Sequence, residues 1–199
     1  MITHLLRWRC CGWHDWRLMP SASLIILMLM IPGFAACADS SYWLLIDTAN
    51  AEARWMKGDT LITRYRNIAI GRRGAKPVHY QGDDSTPLGE YRIDAINHES
   101  RYGIFLSLNY PLPVHARLAE GSGTLSARDR ERIEDAHRSG MPPPYDTALG
   151  GMIGIHGIGK GSLKTHREFN WTQGCVALDN TQMQDLVTRV RIGTRVVIQ

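Results

Sequence analysis

From Ser41 onward, apolar positions recur in the short runs and period-two alternations that predict strands more often than helices. Tyr42-Trp43-Leu44-Leu45-Ile46-Asp47 predicts a first strand. Ala51 to Met56 predicts a second and Thr60 to Ile70 a third, with Lys57-Gly58-Asp59 as the hairpin turn between them. Glu90 to Ala95 and Ile104 to Tyr110 predict two more; in the latter, Phe105, Ser107 and Asn109 alternate with Leu106, Leu108 and Tyr110. Gly150 to Gly157 predicts a buried strand ending on His156, and Thr194 to Ile198 a final one.

Helical spacing is confined to two places. Ser126 and Asp129 form a capping pair before Ala127 to Arg138, a nearly all-polar segment that Gly140 can end, as expected of a solvated surface helix. Asn180 is the expected cap of a last helix, with Met183, Leu186, Val187 and Val190 as its apolar face and Gly193 as its stop. Residues 71 to 89 are rich in glycine and proline and read mostly as turns, and a loop runs from Gly157 to Gly174. Residues 118 to 149, which include the stiff Met141-Pro142-Pro143-Pro144, read as an insertion or flap.

The first 38 residues follow another pattern. Arg7, Arg9 and Arg17 precede an uncharged stretch centred on residues 24 to 31; Pro32 and Gly33 break it, and Ala35, Ala36, Cys37 and Ala38 follow. A basic, then apolar, then small-residue order predicts a secretory signal, and the apolar run is short for a bilayer span. Ala36-Cys37-Ala38 fits cleavage before Asp39. Lipidation of Cys37 and an uncleaved N-terminal anchor are the alternatives, and all three export residues 39–199 to the periplasm or cell envelope. The membrane is then met only through this leader or a lipid on Cys37.

Charge and cysteine count narrow the chemistry. The leader holds net +2 of the chain's +4, so the exported part keeps +2 and has no Lys/Arg run; no nucleic-acid surface is expected. Of four cysteines, Cys10, Cys11 and Cys37 fall in the leader or at its end, which leaves Cys175 alone. A lone cysteine in an oxidising compartment is either a buried inert residue or a thiol kept for reaction.

The sequence around it favours reaction. In Trp171-Thr172-Gln173-Gly174-Cys175-Val176-Ala177-Leu178, Gly174 allows the sharp turn that directs backbone N–H groups towards an oxyanion. His156, at an apolar strand end before Gly157, is the candidate base, with the Gly157 carbonyl as the group that orients it. His166, nine residues before Cys175, reads as an exposed loop histidine or as one that lines the same site; His79, His98, His115 and His137 lack a patterned neighbour. A zinc site of His156, His166 and Cys175 is a rival reading without C-x-x-C or H-E-x-x-H spacing, so neither metal nor cofactor is expected. No G-x-S-x-G supports a serine nucleophile.

Ile155-His156-Gly157 followed by Thr172-Gln173-Gly174-Cys175-Val176 resembles the signature of L,D-transpeptidases with the YkuD catalytic domain. Gly82-Asp83, Thr86-Pro87-x-Gly89, Tyr91-x-Ile93 and Ser107-Leu108-Asn109-Tyr110-Pro111 resemble upstream segments of that family. The resemblance spans Ser41 to Gln199. It implies a mainly β, sandwich-like L,D-transpeptidase catalytic domain with one or two helices.

It also implies a mechanism on peptidoglycan stem peptides. Cys175 would attack an L-to-D peptide bond and form a thioester, and His156 would act as base. Gly174 and Cys175 would supply oxyanion N–H groups, and an amine of another stem peptide or of a wall-attached protein would accept the acyl group. Trp171, Thr172, Gln173 and His166 are the candidate substrate contacts. Three positions depart from the common pattern: Ala177 where many members carry Arg, Gln173 where many carry His, Lys or Arg, and Asn170 where related sequences often carry Asp. These leave the acceptor open. A hydrolase on the same scaffold and a non-catalytic wall-binding module with a buried Cys175 are the alternatives.

Overall fold

The computed structural model describes residues 41–199. The expected leader, with Cys37 and its cleavage or lipidation site, lies outside the described residues. β1 (Tyr42–Asp47) falls where the alternation places it, between β2 (Glu52–Lys57) and the C-terminal β10 (Arg195–Ile198). β2 turns into β3 (Thr60–Arg66) through Gly58, whose φ of +53° suits the tight hairpin. Eight strands form one mixed sheet in the order β3-β2-β1-β10-β6-β7-β8-β9, where β6 is Gly89–Ser100, β7 Gly103–Leu108, β8 Gly154–His156 and β9 Val176–Ala177. β4 (Ala75–Lys76) and β5 (Thr86–Pro87) pair separately.

Long β6 joins the two halves of the sheet. Gly89–Arg92 pairs with β10, the pairing with β7 starts at Ile93, and the register shifts between Ile93 and Ala95. Such a bulge bends a strand. The outer edges then meet. The chain leaves β3 through Asn67, at φ +57°, and Ala69 exchanges backbone hydrogen bonds with Ala177 on the far edge at 2.9 and 2.7 Å. The expected third strand therefore stops at Arg66, because residues 68–70 serve the opposite edge. One apolar cluster runs through both halves, with Leu44, Ile46 and Tyr65 from the first and Ile93, Leu106, Ile155 and Val176 from the second. The mainly β class follows from this layout.

Among the described residues there are four helices, two more than the pattern indicates. α2 (Ala127–Arg138) has the expected bounds, with Ser126 accepting from the Asp129 N–H at 3.1 Å. α1 (Pro113–Gly121) was not legible: no side chain of the residue before it caps it, and His115 Nδ1 turns back to accept the Leu112 N–H at 3.1 Å instead. α3 (Leu163–Glu168) lies inside the segment expected to be loop, capped by Ser162. The last helix, α4 (Asn180–Val187), is capped by Asp179, not Asn180; Asp179 and Gln182 bond reciprocally. Residues 118–149 comprise the end of α1, α2 and an irregular return. Leu125, Ile133 and Leu149 from this stretch enter the core. The expected strand from Gly150 shortens to Gly154–His156, since Gly150 and Met152 have φ of +63° and +59°, outside the β region.

Candidate active site

Cys175 stands one residue before β9, and β9 runs parallel to β8 with Ile155 opposite Val176 and His156 opposite Ala177. Side chains alternate along strands, so this register puts Cys175 on the same face as His156. Both line one cavity of about 610 Å³, together with Arg72, Arg101, Tyr102, Met152 and Trp171.

The turn that carries the thiol is held from below. Thr172 is buried, and its hydroxyl donates to the Cys175 carbonyl at 2.6 Å while accepting the Gly174 N–H at 3.3 Å. Its backbone bonds Ile70 and Arg72, so the turn is tied to the strand edge that crosses to β9. Gly174 has φ +128°, and a Cβ there would lie 2.9 Å from both Ile153 Cδ1 and the Ser85 carbonyl and 3.2 Å from His79. Only glycine fits so close an approach. His79 Nδ1 lies 2.7 Å from the Ser85 carbonyl and 2.9 Å from Asp83 Oδ1, and Asp83 accepts both the Ser85 N–H and its hydroxyl. Burial raises the Asp83 carboxyl, but the two bonds from Ser85 outweigh it and hold the group below its ordinary value.

His156 is 2 % exposed, and its Nδ1 sits 2.7 Å from the Gly157 carbonyl. A carbonyl accepts only, so Nδ1 carries the proton and the Nε2 lone pair is left free. Gly157 is itself fixed: its N–H donates to the Ile104 carbonyl at 3.2 Å, and a Cβ would meet Asn180 Oδ1 and the Tyr102 carbonyl at 2.7 Å. Asn180 also grips both backbone groups of Gly159. Around the imidazole, Tyr102 stacks at 4.0 Å, Phe105 lies near-parallel at 6.0 Å and Trp171 presents its edge at 5.7 Å.

This environment sets a neutral resting pair. Burial pulls the His156 imidazole down to about 4 against the opposing bond to Gly157, and burial pushes the Cys175 thiol up to about 11 against a backbone bond from Gly154. The thiol donates to the Met152 carbonyl at 3.4 Å. Near neutral pH the site therefore holds S–H and an uncharged imidazole, which suits proton transfer during attack better than a preformed thiolate.

The residues expected at the site do not all converge. Trp171, Thr172 and Gln173 line the cavity with Cys175 and His156. His166 lines a neighbouring cavity of about 550 Å³, behind Trp171, and its Nδ1 accepts the Trp171 indole N–H at 3.3 Å. Thr172 braces the turn with its hydroxyl. Gln173 is exposed. Among the described residues no group of three His, Cys, Asp or Glu is placed to hold a metal ion, so the His156, His166, Cys175 zinc arrangement does not form. Tyr102, Phe105, Arg101 and Met152 as site residues, and His79 as the prop under Gly174, are not legible in the sequence. None has a local signature. The nearest signal is the Gly82-Asp83-x-Ser85 segment, which reads mostly as turns and whose Gly82-Asp83 belongs to the family resemblance.

The model of the YkuD family, the L,D-transpeptidase catalytic domain, matches residues 41–198. No curated protein sequence matches the chain. Among solved structures, the helical cell shape determining protein Pgp2 from Campylobacter jejuni is similar at 18% identity and a TM-score of 0.53, over 80% of this chain and 47% of that one. Bd1075 from Bdellovibrio bacteriovorus is similar at 19% identity and a TM-score of 0.51, over 80% and 48%. The chain thus spans about half the length of these structures, and at this identity the likeness is one of fold.

Proposed function

Since the chain belongs to the L,D-transpeptidase catalytic domain family, we propose that it is an acyl-transferase using Cys175 on peptidoglycan stem peptides. The observation that carries the reading is the convergence of Cys175 and a tautomer-fixed His156 on one cavity.

In this reading the thiol proton moves to His156 Nε2 as Sγ attacks the carbonyl carbon of an L-to-D peptide bond. The oxyanion is held by the Cys175 N–H and by the Gly174 N–H, which gives up its long bond to Thr172. The C–N bond then breaks, and the imidazolium returns its proton to the leaving amine. A thioester remains. An incoming amine, deprotonated by His156, attacks it and restores the thiol. Water in the amine's place yields a shortened stem peptide.

Residues 1–38 are proposed to export the domain to the envelope, on the strength of their basic, apolar and small-residue order. Residues 39–199 are then the catalytic domain, with 118–149 as an insertion or flap. Among the described residues no helix is long and apolar enough to cross a membrane.

Incubation with purified disaccharide-tetrapeptide, read by mass spectrometry, tests the reading. Cross-linked dimers are expected. Disaccharide-tripeptide alone would mean hydrolysis. No product, together with a Cys175 that resists a small alkylating reagent in the folded protein, would leave only a binding module.

A further inference from the structure

The cavity over Cys175 contains no carboxylate among its lining residues and two guanidinium groups, Arg72 and Arg101. Arg72 is spoken for, because its Nη2 lies 2.7 Å from Asp84 Oδ2. Arg101 has no carboxylate partner among the described residues. It sits at the β6–β7 turn, with its guanidinium 4.7 Å above the Tyr102 ring and Nη2 2.5 Å from the Tyr102 hydroxyl. Tyr102 in turn stacks on His156 at 4.0 Å. Guanidinium, phenol and imidazole therefore form one layered column on the wall of the site.

That order matches the chemistry of a leaving amino acid. In the proposed reaction His156 protonates the leaving amine, so that nitrogen must sit against the imidazole. The leaving residue's own α-carboxylate is separated from this nitrogen by a single carbon. The Arg101 guanidinium, already held against a ring, lines the same cavity as Cys175 and His156 and is a group there that can receive it. A planar guanidinium binds a carboxylate through paired N–H bonds, and a held one loses less entropy than a free side chain.

We propose that Arg101 is the residue that binds the free α-carboxylate of the departing C-terminal residue. The inference rests on the acyl-transfer reading given above. It makes Arg101 a specificity-determining residue for the leaving end of the donor. A donor extended or blocked at that end would lack the anion.

The test compares disaccharide-tetrapeptide as the free acid with its C-terminal amide. Wild type is expected to favour the acid by about 10- to 100-fold in kcat/KM, the range of a hydrogen bond to a charged group. Arg101→Gln should erase that preference by slowing the acid far more than the amide, and Arg101→Lys should restore part of it. Equal loss on acid and amide would show that Arg101 only supports Tyr102, and no loss on the acid would remove it from recognition; either overturns the inference while the acyl-transfer reading stands. Calorimetric binding of the same two peptides to Cys175→Ala separates the two ideas. If wild type turns over neither peptide, tighter binding of the acid that Arg101→Gln abolishes would uphold carboxylate recognition and sink the reaction. Equal binding of acid and amide would sink both.

Discussion

The Tyr102 ring lies face to face on the imidazole of His156, with centroids 4.0 Å apart and planes 20° from parallel. Tyr102 comes from the β6–β7 turn and His156 from the end of β8, so the contact exists only because β7 joins these strands in the sheet. Its effect is to keep water off the imidazole and to fix its plane. Tyr102→Ala should let water reach the ring and raise its pKa from about 4 towards the ordinary histidine value. Acylation by a stem peptide should slow by about 10- to 100-fold, the scale of a misplaced catalytic group. Tyr102→Phe keeps the stack and should keep the histidine pKa. Proton resonances of the His156 ring followed against pH would check both.

The pH profile of acylation should be set by the same burial. The imidazole accepts a proton only when neutral, and here it is neutral above about 4; the thiol stays protonated up to about 11. The rate of thioester formation should therefore be flat from about pH 5 to 9. An acid limb near 6.5, the ordinary histidine value, would show that the ring is hydrated in solution. Single-turnover acylation by disaccharide-tetrapeptide, quenched at each pH and read by mass, gives this profile.

Stability should respond to acid in the direction that this depressed pKa requires. Between about 4 and 6.5 the unfolded chain binds a proton at His156 that the folded chain refuses, so stability falls as pH drops through that window. The cost is on the order of 3 kcal/mol when the window has been crossed. His115 and His166, also lowered by burial, push the same way. Denaturation curves at pH 7 and pH 4.5 should show a smaller loss for His156→Gln than for the native sequence.

Thr172 tests whether the turn must be braced from below. Thr172→Val preserves shape but removes the hydroxyl that donates to the Cys175 carbonyl at 2.6 Å and accepts from Gly174. A buried carbonyl left without its donor costs about 1–3 kcal/mol. Activity should fall with stability, and Thr172→Ser should recover most of both. Urea midpoints and tripeptide or dimer yield, measured on the same preparations, would show it.

Gly174→Ala should disturb the same turn through its backbone. The added methyl meets Ser85 O and Ile153 Cδ1 at 2.9 Å, from a backbone at φ +128° that L-residues avoid. A loss of roughly 1–3 kcal/mol is expected, together with a displaced thiol. Alkylation of Cys175 should then proceed at a different rate from wild type while far-ultraviolet dichroism stays native.

Part of this site was legible because its parts are local. A glycine before a cysteine, a histidine at the end of an apolar run and the carbonyl following it are contiguous in the chain, and their bonding depends on neighbours one or two residues away. The hydroxyl–aspartate pair at Ser126 and Asp129 marked α2 for the same reason. Asp179 was overlooked as a cap because Asn180, its equally plausible neighbour, is diverted to hold Gly159. α1 was overlooked because its start is capped by a histidine within it.

What the sequence determined by itself was the mainly β class, a cysteine in a sharp turn and a histidine oriented by its own chain. Tertiary structure decided what surrounds them. The insertion of β10 between β1 and β6 and the closure of the sheet through Ala69 and Ala177 are pairings of distant segments, and no periodicity encodes which edge meets which. That closure ties Thr172 to Ile70 and Arg72, seats Gly174 on His79, and lets the β6–β7 turn lay Tyr102 and Arg101 over His156. The reactivity of Cys175 and His156 depends on how dry they are and what stands beside them, and burial is a property of the packed chain.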